Sequence, residues 1–237
     1  MEIFLYLLLG ALDSLCNFVL MFKIFRFPIN EYKYEILLST IILTFVSYAN
    51  RMIFNIPDWD MAIQFLLYIV LLMYLFKVNL SYAIDLSSIG YLAFVGIQFT
   101  IFPILEFANI VSFNDAHELT GSGTYVIQIT SQIICYFVGY LLWKCNFGFS
   151  HISKPPHDGF LRYNISGTKT LGLFTNSIAA LIVCSTMYWV LNYHAGVYIV
   201  LPSVIGALLI LFYLSYRKDF GYDRTTVVEV GAMDKKQ

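Results

Sequence analysis

Residues 8–20 read LLGALDSLCNFVL, an apolar run with a carboxylate, Asp13, near its centre and no Lys or Arg inside it. Such a run belongs in a protein core or in hydrocarbon, and the rest of the chain decides between them. Of the 237 residues, 59% are hydrophobic and 12% charged, and the mean hydropathy is +0.73. Ordinary soluble domains carry roughly 25% charged residues, so a water-soluble fold of this length would lack charges to cover its surface. Similar apolar runs recur along the chain, each near the roughly 20 residues that a helix needs to cross a bilayer. The composition therefore predicts an all-α, polytopic membrane protein. A net charge of −1 points to no nucleic-acid partner.

Working outward from the first run, the breaks between apolar segments predict seven spans, at about 3–22, 35–53, 61–76, 80–105, 124–143, 171–192 and 197–216. They form one transmembrane domain, 1–216, followed by a short tail, 217–237. The short YHAG break at 193–196 is required: 171–216 as one helix would be about 69 Å long at 1.5 Å per residue, more than twice the hydrocarbon thickness. Alternate connections then hold Lys23, Arg26, Lys33, Lys77, Lys144, Lys154, Arg162, Lys169, Arg217, Lys218, Arg224, Lys235 and Lys236, and the opposite side has only Arg51. Basic residues collect on the cytoplasmic side, which predicts an outside N-terminus, a cytoplasmic C-terminus and a bacterial cytoplasmic-membrane location. Many of the Tyr and Phe residues fall near span ends, as interfacial belts do. MEIFLY lacks the cationic start and cleavage site of a signal peptide.

Polar residues inside the spans form stripes. Gly10, Asp13 and Asn17 share one face; so do Thr40, Thr44, Ser47 and Arg51; Asp85, Ser88 and Gly96; Gln128, Gln132 and Gly139; and Ser177, Ala180 and Cys184. Small and polar stripes are what helix seams in a bilayer use, because lipid gives helices no hydrophobic reason to associate. Ionisable residues are different: a charge at mid-bilayer costs at least about 2.5–3.5 kcal/mol, so it faces a partner or a wet cavity. Asp13 can satisfy this by protonation, by bonding the hydroxyls of the second span, or by pairing with Arg51; Arg51 can instead reach Asp58 or Asp60. Asp85, closer to the interface, reads first as a structural group. The candidate ligand-binding set is Asp13, Asn17, Arg51, Gln64, Asp85, Gln128 and Gln132. Above it lies an acidic outer rim of Glu2, Asp58, Asp60, Glu106, Asp115 and Glu118, which suits a cationic or amphipathic ligand, or is simply a solvated face.

Signatures of catalysis are missing. Cys16, Cys135, Cys145 and Cys184 form no CxxC pair and read as small apolar residues. His117 and His194 are expected outside, His151 and His157 inside, so no metal site is expected. Cys145 and His151 sit six residues apart in a glycine-containing loop, weak grounds for a nucleophile. No GxSxG, HExxH or Walker motif occurs. GSGT at 121–124 follows no strand, and the NLS and NIS sequons at 79–81 and 164–166 are expected on the cytoplasmic side. The reading is no enzyme and no cofactor.

The segment FKIFRFPINEYKYEILLSTIILTFVSYANRMIF, 22–54, and its continuation through NIPDWD and LFKVNLSYAI to residue 96 resembles the membrane input region of the accessory-gene-regulator (AgrC-like) peptide-pheromone sensor kinases of Gram-positive bacteria. What carries it is the order of a basic FRFP turn, a helix ending in YANR, a terse loop and the LFKVNLSYAI entry to the next span. The resemblance implies a bundle that binds a secreted peptide outside and signals inward. It also implies a relative without a kinase, since RKDFGYDRTTVVEVGAMDKKQ is too short for a dimerising helical pair or an ATP-binding domain. The leading expectation is a sensor, receptor-like or signalling-accessory membrane protein. Its ligand would be an extracellular peptide or small amphipathic molecule, and its partner a kinase or other membrane protein reached through 144–170 and 217–237. A homodimer is a further arrangement. The alternatives are a small transporter or its substrate-binding subunit, with Asp13 and Asp85 on the path, and a scaffold that binds no ligand.

Overall fold

The computed structural model describes residues 2–113, 115, 121–150, 152, 154–156 and 201–217, and every secondary-structure element among them is helical. The helices are α1 (Glu2–Ile24), α2 (Lys33–Tyr48), α3 (Pro57–Tyr74), α4 (Leu80–Phe107), α5 (Ser122–Lys144) and α6 (Leu201–Arg217). Four continuous helical stretches, Ile3–Ile24, Ile29–Ile53, Leu80–Phe107 and Ser122–Lys144, are long and apolar enough to cross a membrane; α3 and α6 are shorter apolar helices. The predicted span 171–192 lies outside the described residues.

α1, α2, α3, α4 and α5 pack as an alternating bundle. One end, called upper here, holds the start of α1, the end of α2 and the start of α3. There Tyr6 meets Tyr48 with ring centroids 6.0 Å apart. At the lower end the turn after α1 meets the segment after α5, where the Phe149 amide donates to the Ile24 carbonyl at 2.8 Å. Phe149 also lies against Phe212 of α6, centroids 5.7 Å apart, which puts the C-terminal half of α6 at this end. α4 is the most enclosed helix, with fourteen of its 28 residues buried. α5 buries only five of 23 and turns Ile133, Phe137 and Trp143 outward, the apolar exposure that a lipid-facing helix shows.

Three of the helices end without the glycine that usually marks a C-terminus. Arg26, Asn109 and Asn146 each adopt a left-handed conformation, φ 56°, 54° and 52°. The next amide in each case reaches back five residues: Phe27 to Phe22, Ile110 to Leu105 and Phe147 to Leu142, at 2.7, 3.0 and 3.0 Å. Asn tolerates that geometry, whereas a residue such as Arg26 bears a cost of roughly 1–2 kcal/mol. α3 begins at Pro57, four residues before the sequence-based boundary, because proline suits the first helical position, where no amide bond is lost. Close approach also depends on small residues. A Cβ at Gly90 of α4 would collide with the Met21 side chain of α1, and one at Gly148, φ 155°, would stand 2.6 Å from the Ile24 carbonyl.

Candidate functional site

The upper half of the bundle contains a cluster of buried polar groups joining α2, α3, α1 and α5. Its centre follows from a local change of helix. After Tyr48 the chain widens into a π turn over Ala49–Ile53, closed by the Phe54 amide on the Ala49 carbonyl at 2.8 Å. From that turn Asn50 and Arg51 both reach Asp60 of α3. Arg51 Nε lies 2.6 Å from Asp60 Oδ2, with the Asp60 side chain 1% exposed and that of Arg51 28% exposed. Asn50 Nδ2 donates to Asp60 Oδ1 at 3.0 Å, and Ser47 Oγ donates to Asp60 Oδ2 at 2.8 Å. The carboxylate thus takes three protein donors. Asp60 also sits in the first turn of α3, where the helix dipole favours an anion, and Arg51 near the C-terminal end of α2, where it favours a cation.

Asp60 therefore does not belong to a solvated rim. It is the buried acceptor that fixes Arg51, and that pairing is one of the alternatives the sequence left open. Asp13 takes a different partner: Gln132 Nε2 donates to Asp13 Oδ1 at 3.0 Å and to the Leu9 carbonyl at 3.1 Å, clamping α5 onto α1. The Thr44 hydroxyl is committed to its own helix, at 2.8 Å from the Thr40 carbonyl. Gln64 of α3 ties to α2 through the Leu43 carbonyl at 2.9 Å. Asn17 is buried and its Oδ1 has no hydrogen-bond partner among the described residues. Asp85 is 3% exposed within α4, nearer the lower end, so the structure does not bring it to this cluster. Gln128 is half-buried on α5, one turn above Gln132.

Of the remaining rim, Glu106 is half-buried in the last turn of α4, and Glu118 lies outside the described residues; Asp58 occupies the first turn of α3. Asp115 is held in a local turn. The Ser112 amide and hydroxyl donate to Asp115 Oδ2 at 2.7 and 2.9 Å, and the Thr124 hydroxyl donates to its carbonyl at 2.7 Å. Those donations from Ser112 hold the Asp115 carboxyl below the usual carboxylate range. Gly123 lets the start of α5 pass this turn, since a Cβ there would lie 2.5 Å from the Asp115 Cβ. Among the described residues, no three His, Cys, Asp or Glu side chains converge to hold a metal ion.

Asn50 and Tyr68 were not among the sequence candidates. A straight-helix reading aligns Thr40, Thr44, Ser47 and Arg51 and turns Asn50 aside, yet Asn50 and Arg51 both reach Asp60 from the π turn. Tyr68 of α3 donates to the Ser14 carbonyl at 3.3 Å, a contact between distant helices that helical periodicity cannot register. Comparison of the chain with protein-family models, curated proteins and solved structures finds no match.

Proposed function

We propose that the chain is a seven-span protein of the bacterial cytoplasmic membrane, N-terminus outside and C-terminus cytoplasmic, that works as a receptor-like sensor or signalling accessory. In this reading the upper end is the outer one. An extracellular peptide or small amphipathic molecule engages the outer half of the bundle and changes how α2 and α3 pack, and the change passes to a kinase or other membrane partner through 144–170 and 217–237.

The observation that carries the proposal is the Arg51–Asp60 pair on the π turn. Burying an ion pair is a poor way to stabilise a fold, because desolvation offsets the attraction. A seam of small residues in close backbone contact would hold α2 against α3 without that cost. π turns inside helices also occur frequently at functional sites. A buried pair with additional donors on one carboxylate has discrete alternative arrangements that a ligand can bias, which apolar packing lacks.

The experiment is hydrogen exchange on the full chain in nanodiscs, with and without the peptide fraction of medium conditioned by the source organism. Impermeant cysteine labelling of right-side-out vesicles runs in parallel. The expected result is altered exchange over 47–64, with residue 2 labelled from outside and residue 237 only after permeabilisation. Unchanged exchange, together with substrate flux that Asp13→Asn or Asp85→Asn abolishes in a folded protein, would replace the receptor by a transporter. Labelling of both termini from one side would overturn the seven-span arrangement.

A further inference from the structure

The lower end of the bundle has a second polar feature, built partly on the 144–170 segment to which the receptor reading gives the signal but serving a different ligand. A cleft of about 250 Å³ opens between the turn after α1 and the end of α5, lined by Lys23, Arg26, Lys154, Trp143, Asn146 and Phe147 among others, with no carboxylate among the described residues that line it. Its walls are fixed. Arg26 Nη2 donates to the Asn146 carbonyl at 2.8 Å, and Lys23 Nζ lies 5.8 Å from the centre of the Trp143 ring. The Tyr32 hydroxyl donates to the Pro155 carbonyl at 2.7 Å, holding the segment next to Lys154 against the same turn.

We propose that this cleft binds the phosphate headgroup of an anionic phospholipid. Three cations from two separate segments converge on one concavity, which suits a compact, multiply hydrogen-bonding anion. Compensation of the α1 dipole accounts for Lys23 in its last turn, but it does not bring in Lys154, more than a hundred residues away. Arg26 occupies a left-handed position where Gly or Asn would close the same turn with less strain, so what the arginine adds is its guanidinium. The cleft also lies where spans end, beside Trp143, 63% exposed, and Phe147, 60% exposed. Aromatic side chains at that level sit among headgroups, and basic pockets between helix ends accept the headgroups of anionic lipids.

Trp143 supplies the test. In the full chain carrying Trp59→Phe and Trp189→Phe it is the sole tryptophan. Its quenching is measured in phosphatidylcholine nanodiscs doped with brominated phosphatidylglycerol or, separately, brominated phosphatidylcholine. The expected result is preferential quenching by the anionic lipid. Loss of each cation should weaken the preference about fivefold, so Lys23→Gln with Lys154→Gln lowers it about twenty-fivefold. Arg26→Asn keeps the left-handed turn and removes one cation, so it tests the site even if the double variant does not fold. Equal quenching by the two lipids, or a preference that Arg26→Asn leaves unchanged, overturns the proposal. So does loss of the preference on adding millimolar glycerol phosphate, which would give the cleft to a soluble phosphate compound.

Discussion

Near the lower end, Phe18, Phe22, Phe27, Tyr32 and Phe76 interlock around α1, with centroids from 5.5 to 6.3 Å apart and mostly edge-on or tilted. Near the upper end the same helices meet through Arg51, Asp60, Asn50 and Ser47, and through Gln132 on Asp13. The two regions solve one problem by different means. Within a bilayer apolar packing brings no transfer energy from water, so the rings act through shape and dispersion. They hold one arrangement because any displacement opens a void. The polar cluster is directional, and its donors can exchange acceptors without opening a cavity. A bundle built this way is stiff around the rings and adjustable around Asp60, which is where a stimulus arriving at the upper end would act.

The largest expected effect breaks the adjustable side. Asp60→Asn leaves Arg51 without its counter-charge, and removing one partner of a buried pair costs about 3–5 kcal/mol. Because Arg51 is 28% exposed, about 3 kcal/mol is expected in an unfolding titration in mixed micelles or bicelles. Arg51→Met in the same chain should recover most of that loss, since no unpaired charge then remains. A double variant as unstable as the single one would show that packing, not charge pairing, dominates at the π turn.

Next comes the rigid side. Phe22→Ala deletes a fully buried ring that touches Phe18, Phe27, Tyr32 and Phe76. In a membrane only the cavity contribution remains, and about 100 Å³ at about 24 cal/mol per Å³ gives about 2 kcal/mol. The same titration measures it, and hydrogen exchange should show the loosening spread along α1 and the end of α3 while 47–60 keeps its protection. If protection at 47–60 fell equally, the two regions would be one cooperative unit and the contrast between them would fail.

How far the sequence foretold these regions depends on what set them. Helices such as Leu80–Phe107 were legible because apolar length alone marks a segment able to cross hydrocarbon. The stripe through Asp13 was legible as well, since straight-helix periodicity holds along α1. Asp60 was misplaced because it stands beside Pro57 in NIPDWD, which reads as an exposed loop until α3 is seen to start at that proline. Asn50 was hidden by a π turn that no residue pattern announces, and the end of α1 by an arginine standing where glycine usually would. Asp60 and Asn50 were thus lost to a helix start and a π turn, and Tyr68 to a contact between distant helices.

The smallest expected effect addresses what Asp13 is for. Gln132→Leu removes the donor that Asp13 and the Leu9 carbonyl share, and hydrogen bonds between membrane helices are worth about 0.6 kcal/mol on average and at most about 1.7. A loss of about 1 kcal/mol is expected, well below that of Phe22→Ala. Asp13→Asn is the sharper companion. The amide oxygen of asparagine still accepts from Gln132, so stability should change by less than about 0.5 kcal/mol if Asp13 serves only to join α1 to α5. A variant that unfolds like the wild type yet loses the ligand-dependent exchange over 47–64 would assign the role to the charge and not to the hydrogen bond. A variant that loses stability and response together would make Asp13 part of the framework and leave the signal to the Arg51–Asp60 pair.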